Sequence, residues 1–227
     1  MISIAIDGPS GAGKSTIARL VAGQLGYIYV DTGALYRAVG LAVLRAGKDP
    51  RSEAEVAGLL PGLALSLRHI GGEQRVFLGG EDVSDAIREE PVSMAASGVS
   101  AHPATRAFLL ETQRRLAREN NVVMDGRDIG TVVLPGADVK IFLTASVEDR
   151  ARRRYEQLLK NGQEADYETV KADVEQRDYN DTHRSIAPLK KAADAVEADT
   201  TGFELEQSLA LLLSIIRQKL PARESAQ

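Results

Sequence analysis

Gly8-Pro9-Ser10-Gly11-Ala12-Gly13-Lys14-Ser15 sets a glycine, four further residues, a second glycine, a lysine and a hydroxyl in one run. This is the spacing of a phosphate-binding loop. The glycines let successive backbone amides turn toward one point, and the helix pattern that opens at Lys14 adds its own free N-terminal amides, so a polyphosphate suits the run. Lys14 would reach the β- and γ-phosphates of ATP. Ser15 would set its hydroxyl on Mg²⁺, a hard ion that bridges phosphate oxygens. Gly8, Pro9, Ser10, Gly11, Ala12, Gly13, Lys14, Ser15 and Thr16 are therefore the candidate donor-binding residues. A glycine-rich turn with an exposed lysine is the plain alternative. The apolar run Ile2 to Ile6 before it and the helical pattern after it argue against that.

Two other short runs carry chemistry. Val122-Val123-Met124 leads into Asp125-Gly126-Arg127-Asp128, which puts a carboxylate and then a guanidinium where a parallel sheet binds its ligands, beyond the carboxyl ends of its strands. Asp125 would orient a metal-bound water or cap the loop, and both readings stand. Asp31-Thr32-Gly33 with Tyr36 and Arg37 adds a hydroxyl, an aromatic ring and a second guanidinium, although a helix N-cap accounts for Asp31 or Thr32 without any function. Arginines recur at Arg150, Arg152, Arg153 and Arg154, and again at Arg177 and Arg184. They concentrate positive potential for an anion, or form a solvated helix face. His69, His102 and His183 have no metal-ligand spacing.

Composition narrows the classes. The 227 residues suffice for a substantial core in one domain with an insertion, or in two small units. A net charge of -4 argues against general nucleic-acid binding, which draws its affinity from positive charge on phosphates. With no cysteine, disulfides and thiolate chemistry are excluded, and a cytoplasmic location is expected. No apolar run reads as a signal peptide or membrane span: the longest late stretch, Leu209 to Ile216, sits between Glu206 and Arg217 as in a partly buried helix.

These residues must be positioned by alternating short apolar strands and longer helices, the pattern of an α/β fold with a parallel sheet. Five core strands are expected at Ser3 to Ile6, Tyr27 to Val30, Val122 to Met124, Val139 to Leu143 and Ala195 to Ala198. Helices are expected at Lys14 to Leu25, Ala34 to Ala46, Ala104 to Arg118, Val147 to Lys160 and Leu205 to Leu220. Ser146 is placed to cap the fourth, and Asn161-Gly162 to stop it. Between about residues 60 and 100 the rhythm changes to alternating leucines and paired glycines, which predicts a small antiparallel insertion. The tail after Leu220 has nothing to bury and should fray.

Taken together, IDGPSGAGKST at Ile6 to Thr16, DTGALYRA at Asp31 to Ala38, FLGGEDVSDAIR at Phe77 to Arg88, DGRDIGTVV at Asp125 to Val133, KIFLTAS at Lys140 to Ser146 and RDYNDTHRSIAPL at Arg177 to Leu189 resemble the cytidylate kinases, the CMP/dCMP kinases within the nucleoside monophosphate kinase group. The likeness runs nearly end to end. It implies a P-loop, adenylate-kinase-like fold: a five-stranded parallel sheet core covered by helices, a small antiparallel insertion in the monophosphate-binding domain, and a short lid. It implies a core of about 1–31, 104–150 and 185–220, a monophosphate-binding domain of about 32–103, and a lid of about 151–184. It further implies transfer of the γ-phosphoryl group of ATP to CMP or dCMP with Mg²⁺, by a monomer that acts on small nucleotides.

Carried over by position, Thr32, Arg37, Ser97, Arg106, Arg127, Asp128, Arg177, Asp181 and Arg184 fall where the family binds its monophosphate. Arg37 and Arg127 would fork onto the acceptor phosphate. Asp128 or Ser97 with Arg106 would read cytosine, Asp181 and Arg184 the sugar hydroxyls, and Arg177 both sugar and phosphate. The resemblance places Arg150 to Tyr155 on the approach to the lid, where Arg150 or Arg154 would touch the transferring phosphoryl group, and Arg154 joins Lys14, Arg127 and Arg177 as the candidates to meet it. Thr32 stands where serine is common, His183 where asparagine is, and Gly98 where a longer polar residue is frequent. A P-loop kinase of another monophosphate or of a small alcohol would keep the loop and change the acceptor readers. A nucleotide-binding switch is the reading from another class, opposed by the lack of an asparagine-lysine-x-aspartate guanine reader.

Overall fold

The computed structural model describes residues 1–220. The tail expected to fray, 221–227, lies outside the described residues. In chain order the elements are β1 (Ser3–Asp7), α1 (Lys14–Leu25), β2 (Ile28–Asp31), α2 (Thr32–Arg45), α3 (Glu53–Leu59), β3 (Leu65–Ile70), β4 (Glu73–Leu78), β5 (Glu81–Asp82), α4 (Glu90–Ser100), α5 (Pro103–Glu119), β6 (Val122–Gly126), β7 (Val139–Thr144), α6 (Val147–Lys160), α7 (Tyr167–His183), β8 (Val196–Asp199) and α8 (Leu205–Lys219). They form a five-stranded sheet in the order β2-β6-β1-β7-β8 and a three-stranded sheet in the order β3-β4-β5. The expected α/β architecture is present, and each of the five expected core strands is found within a residue or two of its expected limits.

Two compact units divide the chain: Met1–Ile28 with the segment from Asn120 onward, and Tyr29–Glu119. In the first, β1 pairs in parallel with both β6 and β7, and β7 pairs in parallel with β8. Strands covered on both faces need apolar side chains on both, and Ile4, Ile6, Val122, Met124, Ile141 and Leu143 are all buried. Ile17 and Val21 of α1 and Leu212 and Ile216 of α8 are buried as well, at helical spacing. The register sets Asp7 beside Gly126 and Ile6 beside Asp125, so the loops leaving β1 and β6 start side by side.

In the second unit, β3 and β4 form the expected hairpin around Gly71-Gly72, both at positive φ, and β5 adds a short antiparallel strand. The insertion differs from expectation in its second half. Residues 90–100 form α4, whose Val92, Ala95 and Val99 are buried at helical spacing. Proline, glycine and small residues there mask the period. A Cβ at Gly40 of α2 would lie 3.0 Å from the Ala96 nitrogen, so α2 and α4 cross closely only because that residue is glycine. One core joins Ala34, Ala38 and Leu41 to Val76, Val83, Ile87 and Val92. A second joins Leu35, Val39 and Val43 to Val56, Leu60, Val99 and Leu109. The helices α3 and α7 are further elements that sequence reading passed over. Among the described residues no helix is long and apolar enough to cross a membrane.

Candidate active site

The phosphate loop bridges β1 and α1 through backbone that only glycine tolerates. Gly8 has φ 152°, and a Cβ there would fall 1.9 Å from the Leu143 carbonyl oxygen. Gly11 and Gly13 have φ 76° and 84°. The Lys14 side chain is buried and its ammonium donates to the Pro9 carbonyl at 2.6 Å, across the loop. Burial, with the neighbouring Arg127 charge, pulls the Lys14 pKa down to about 7 against the opposing pull of Asp125, Asp181 and Asp7. A polyanion placed on the loop would add to the pull of those carboxylates and favour the charged ammonium. Ser15 is half-buried and its hydroxyl donates to Asp125 Oδ2 at 2.9 Å. Thr16 is exposed on the first turn of α1.

Asp7 fastens this loop to the next. Its two carboxylate oxygens accept the amides of Ile129 and Gly130, each at 2.7 Å. Burial pushes the Asp7 carboxyl up to about 6 although those two amides favour its charged form. The segment Ile129–Val133 makes a single π turn, a geometry often found at functional positions. It thereby sets Arg127 and Asp128 just beyond the carboxyl end of β6.

Those two residues meet α7. Arg127 Nε donates to Asp181 Oδ2 at 2.6 Å, Arg184 lies 3.5 Å from Asp128 and 3.8 Å from Asp181, and all four side chains are mostly buried. Burial opposes the charge on Arg127 and on Asp181, but their mutual attraction outweighs it and keeps both ionised. Arg184 Nε also donates to the carbonyl of Ala187, a non-glycine residue at φ 47°. Strain of that kind is retained where surrounding structure dictates it. Arg177 is half-buried on α7.

The arginine run on α6 divides into different roles. Arg150 is buried, donating to the carbonyls of Ala145 and Ser10 at 2.9 Å and pairing with Asp178 at 2.6 Å. It therefore fixes the phosphate loop against α7, which neither the phosphate-contact nor the solvated-face expectation described. Arg152 and Arg153 pair with Asp149, and Arg153 also reaches the Thr200 carbonyl at 2.8 Å. Arg154 is half-buried and donates to Gln157 at 3.1 Å. Ser146 caps α6 as expected, accepting the Asp149 amide at 3.2 Å.

In the second unit, Thr32 is buried at the head of α2. Asp31 caps that helix through the Ala34 amide at 2.9 Å, and its other oxygen holds Arg37 at 2.8 Å. Asp31 is therefore the cap of α2, one of the two residues expected for that place, and a charge partner of Arg37 besides. Gln74 of β4 grips the Asp31 backbone at both ends, accepting its amide at 2.9 Å and donating to its carbonyl at 3.3 Å. Arg106 is buried on α5, with NH1 on the Ser100 carbonyl at 3.1 Å and its guanidinium 5.6 Å from the centre of the Tyr36 ring. Ser97 is exposed on α4. Sequence reasoning passed over Asp7 and Gln74, whose partners lie 122 and 43 residues away along the chain.

A divalent ion fits the first unit in one respect. Ser15 and Asp125 set a hydroxyl and a carboxylate together at the head of α1, oxygen ligands of the type a hard cation takes. Among the described residues no group of three or more His, Cys, Asp or Glu side chains is arranged to hold a metal, so such an ion would take its other ligands from phosphate and water.

Comparison with known proteins agrees with this geometry. The cytidylate kinase family model matches residues 4–218. A cytidylate kinase of Geobacter sulfurreducens is 50% identical over 98% of this chain and 96% of its own length. One from Enterococcus faecalis is 47% identical over 96% of each. Among solved structures, an uncharacterized protein from Eubacterium ventriosum superposes with a TM-score of 0.54 at 12% identity, covering 95% of this chain and 98% of its own, a likeness of fold alone. With its phosphate loop, its Arg127–Asp181 cluster and near full-length relatives at about half identity, the chain belongs to the cytidylate kinase family.

Proposed function

We propose that this chain transfers the γ-phosphoryl group of ATP to CMP or dCMP, giving ADP and CDP or dCDP, in the presence of Mg²⁺. The observation that carries the reading is the pairing, in one family-matched unit, of a phosphate loop bearing a buried lysine with a buried cluster of two arginines and two aspartates. The first suits a triphosphate, the second a small anion with polar groups to be recognised.

An oxygen of the acceptor phosphate attacks the γ-phosphorus while the bond from that phosphorus to the β,γ-bridging oxygen breaks, and the electron pair leaves with ADP. No strong base is required, since a phosphate monoester has its second pKa near ~6 and is largely a dianion at neutral pH. The work is positioning and charge neutralisation. Backbone amides between Ser10 and Thr16 cradle the donor, Gly8 and Pro9 shape the loop's entry, Lys14 covers the donor's β- and γ-oxygens, and Arg127, Arg154 and Arg177 meet the transferring group. Mg²⁺, when bound, would neutralise donor oxygens, held through the Ser15 hydroxyl, with Asp125 orienting that hydroxyl or a water on the ion.

Arg37 and Arg127 take the acceptor phosphate, Asp181, Arg184 and Arg177 its sugar, and Thr32, Ser97, Arg106 and Asp128 its base and flanking atoms. A carboxylate acceptor is the recognised partner of the cytosine amino group. In domain terms, about 32–103 binds the monophosphate, about 151–184 acts as a lid, and the remainder is the core. The working picture is a cytoplasmic monomer acting on small nucleotides.

The test is ADP formation from Mg-ATP with CMP, dCMP, UMP and AMP offered separately, with Lys14→Ala and Arg127→Ala proteins as controls. Turnover with CMP and dCMP that both variants lose supports the reading. Equal slow ADP release whichever acceptor is present would reduce it to an ATPase or switch.

A further inference from the structure

The run Asp82-Val83-Ser84-Asp85-Ala86-Ile87-Arg88 stands out in the sequence, yet none of its residues has a place in the donor or acceptor sites above. Its fastening is thorough. Val83 and Ile87 are fully buried in the core with Ala34, Ala38 and Val76. The Ser84 hydroxyl donates to Asp82 at 2.6 Å and accepts the Val76 amide at 2.8 Å, while Asp82 takes Arg75 at 2.9 Å. The 3₁₀ turn Ala86–Arg88 closes the run and delivers Arg88 to Asp31.

There Arg88 NH2 lies 3.3 Å from Asp31 Oδ2, the same oxygen that Arg37 NH2 holds at 2.8 Å. Two guanidinium groups therefore share one carboxylate oxygen, and the trio keeps a net positive charge. Asp31 is ionised there: burial opposes its charge, but Arg37 and Arg88 outweigh that and lower its pKa. The carboxylate side chain is 5% exposed, whereas Arg37 is 20% and Arg88 53% exposed, so the positive ends face outward from a buried anchor. Arg37 Nε is buried and has no hydrogen-bond partner among the described residues. A buried donor left unmatched is costly unless a ligand takes it. Gly33 keeps the space beside the pair clear, since a Cβ there would lie 3.1 Å from Asp31 Oδ1 and 3.2 Å from Arg37 NH1.

A structural clamp explains this poorly. Asp31 is already neutralised by Arg37, and a half-exposed second ion pair adds little to stability. A dianion shared by both guanidinium groups relieves their repulsion and offers Arg37 Nε an acceptor. Resting on the reading that Arg37 and Arg127 take the acceptor phosphate, we propose that Arg88 is a third phosphate-binding arginine for the nucleoside monophosphate, held beside Arg37 by Asp31. The otherwise unassigned run is then the device that carries Arg88 to the site.

The experiment is steady-state kinetics of Arg88→Gln and Arg88→Lys with CMP and ATP varied in turn, alongside thermal melting. Arg88→Gln should raise KM for CMP by about tenfold or more, the loss expected for a charged hydrogen bond, and leave KM for ATP within about twofold. Arg88→Lys should recover part of the loss, because it keeps the charge without the fork. A KM for CMP within about twofold of wild type would overturn the proposal, as would KM values for CMP and ATP rising together with a lowered Tm, the mark of a clamp. Absence of CMP turnover in the wild-type protein would instead overturn the kinase reading on which the proposal rests.

Discussion

Arg127 Nε donates to Asp181 Oδ2 at 2.6 Å, joining the carboxyl end of β6 to α7 across 54 residues of sequence. The pair is mostly buried, so each charge depends on the other for its solvation. Asp181→Asn would leave the Arg127 guanidinium beside a neutral amide. KM for CMP should rise about tenfold or more, and stability should fall by about 1–3 kcal/mol, checked by acceptor kinetics and denaturant unfolding. An unchanged KM for CMP would remove Asp181 from the acceptor site.

Arg150 supports the phosphate loop. Arg150→Ala would strip the Ser10 and Ala145 carbonyls of their donor and leave Asp178 unpaired, so the loop should loosen and KM for ATP should rise about tenfold. Arg152→Ala, two positions on but largely exposed, should change stability by less than about 0.5 kcal/mol. Equal effects of the two substitutions would show that burial does not separate their roles.

Asp7 predicts a dependence on pH. Its folded pKa of about 6 lies above the ordinary carboxyl value of 3.8, so folding favours the protonated form. The stability this contributes is complete below about pH 4 and lost as pH rises through about 6. Relative to Asp7→Asn, which carries no titrating group, the wild-type protein should lose up to roughly 3 kcal/mol over that range, since a tenfold change in proton activity is worth ~1.4 kcal/mol. Unfolding free energies of both proteins from pH 4 to pH 8 measure it, and parallel profiles would contradict it.

Two glycines at positive φ should respond differently to alanine. Gly8→Ala drives a methyl into the Leu143 carbonyl and should cost more than about 3 kcal/mol, together with loss of ATP binding. Gly26, the C-cap of α1 at φ 68°, has nothing within 4 Å of an added Cβ. Gly26→Ala should cost only about 1 kcal/mol, the conformational penalty alone. Thermal melting with a nucleotide-binding assay separates the two.

What could be read directly from the chain was whatever neighbouring residues settle among themselves. The spacing from Gly8 to Ser15, the apolar runs of the central strands, the Ser146 cap and the Asn161-Gly162 stop of α6 are legible from residues a few positions apart, and all appear as expected. Where the local pattern was faint, so was the reading. The helix α7 buries only Val170 and Val174 along its 17 residues, and α4 hides its period among proline, glycine and small side chains. Only the tertiary structure decided that Asp31 serves Ala34, Arg37 and Arg88 together, that Asp7 receives amides from the loop after β6, and that Arg150 turns inward while Arg152 faces water. A charged side chain takes its role from the carboxylates, amides and carbonyls that folding sets around it, and those come from distant segments that composition and spacing do not bring together.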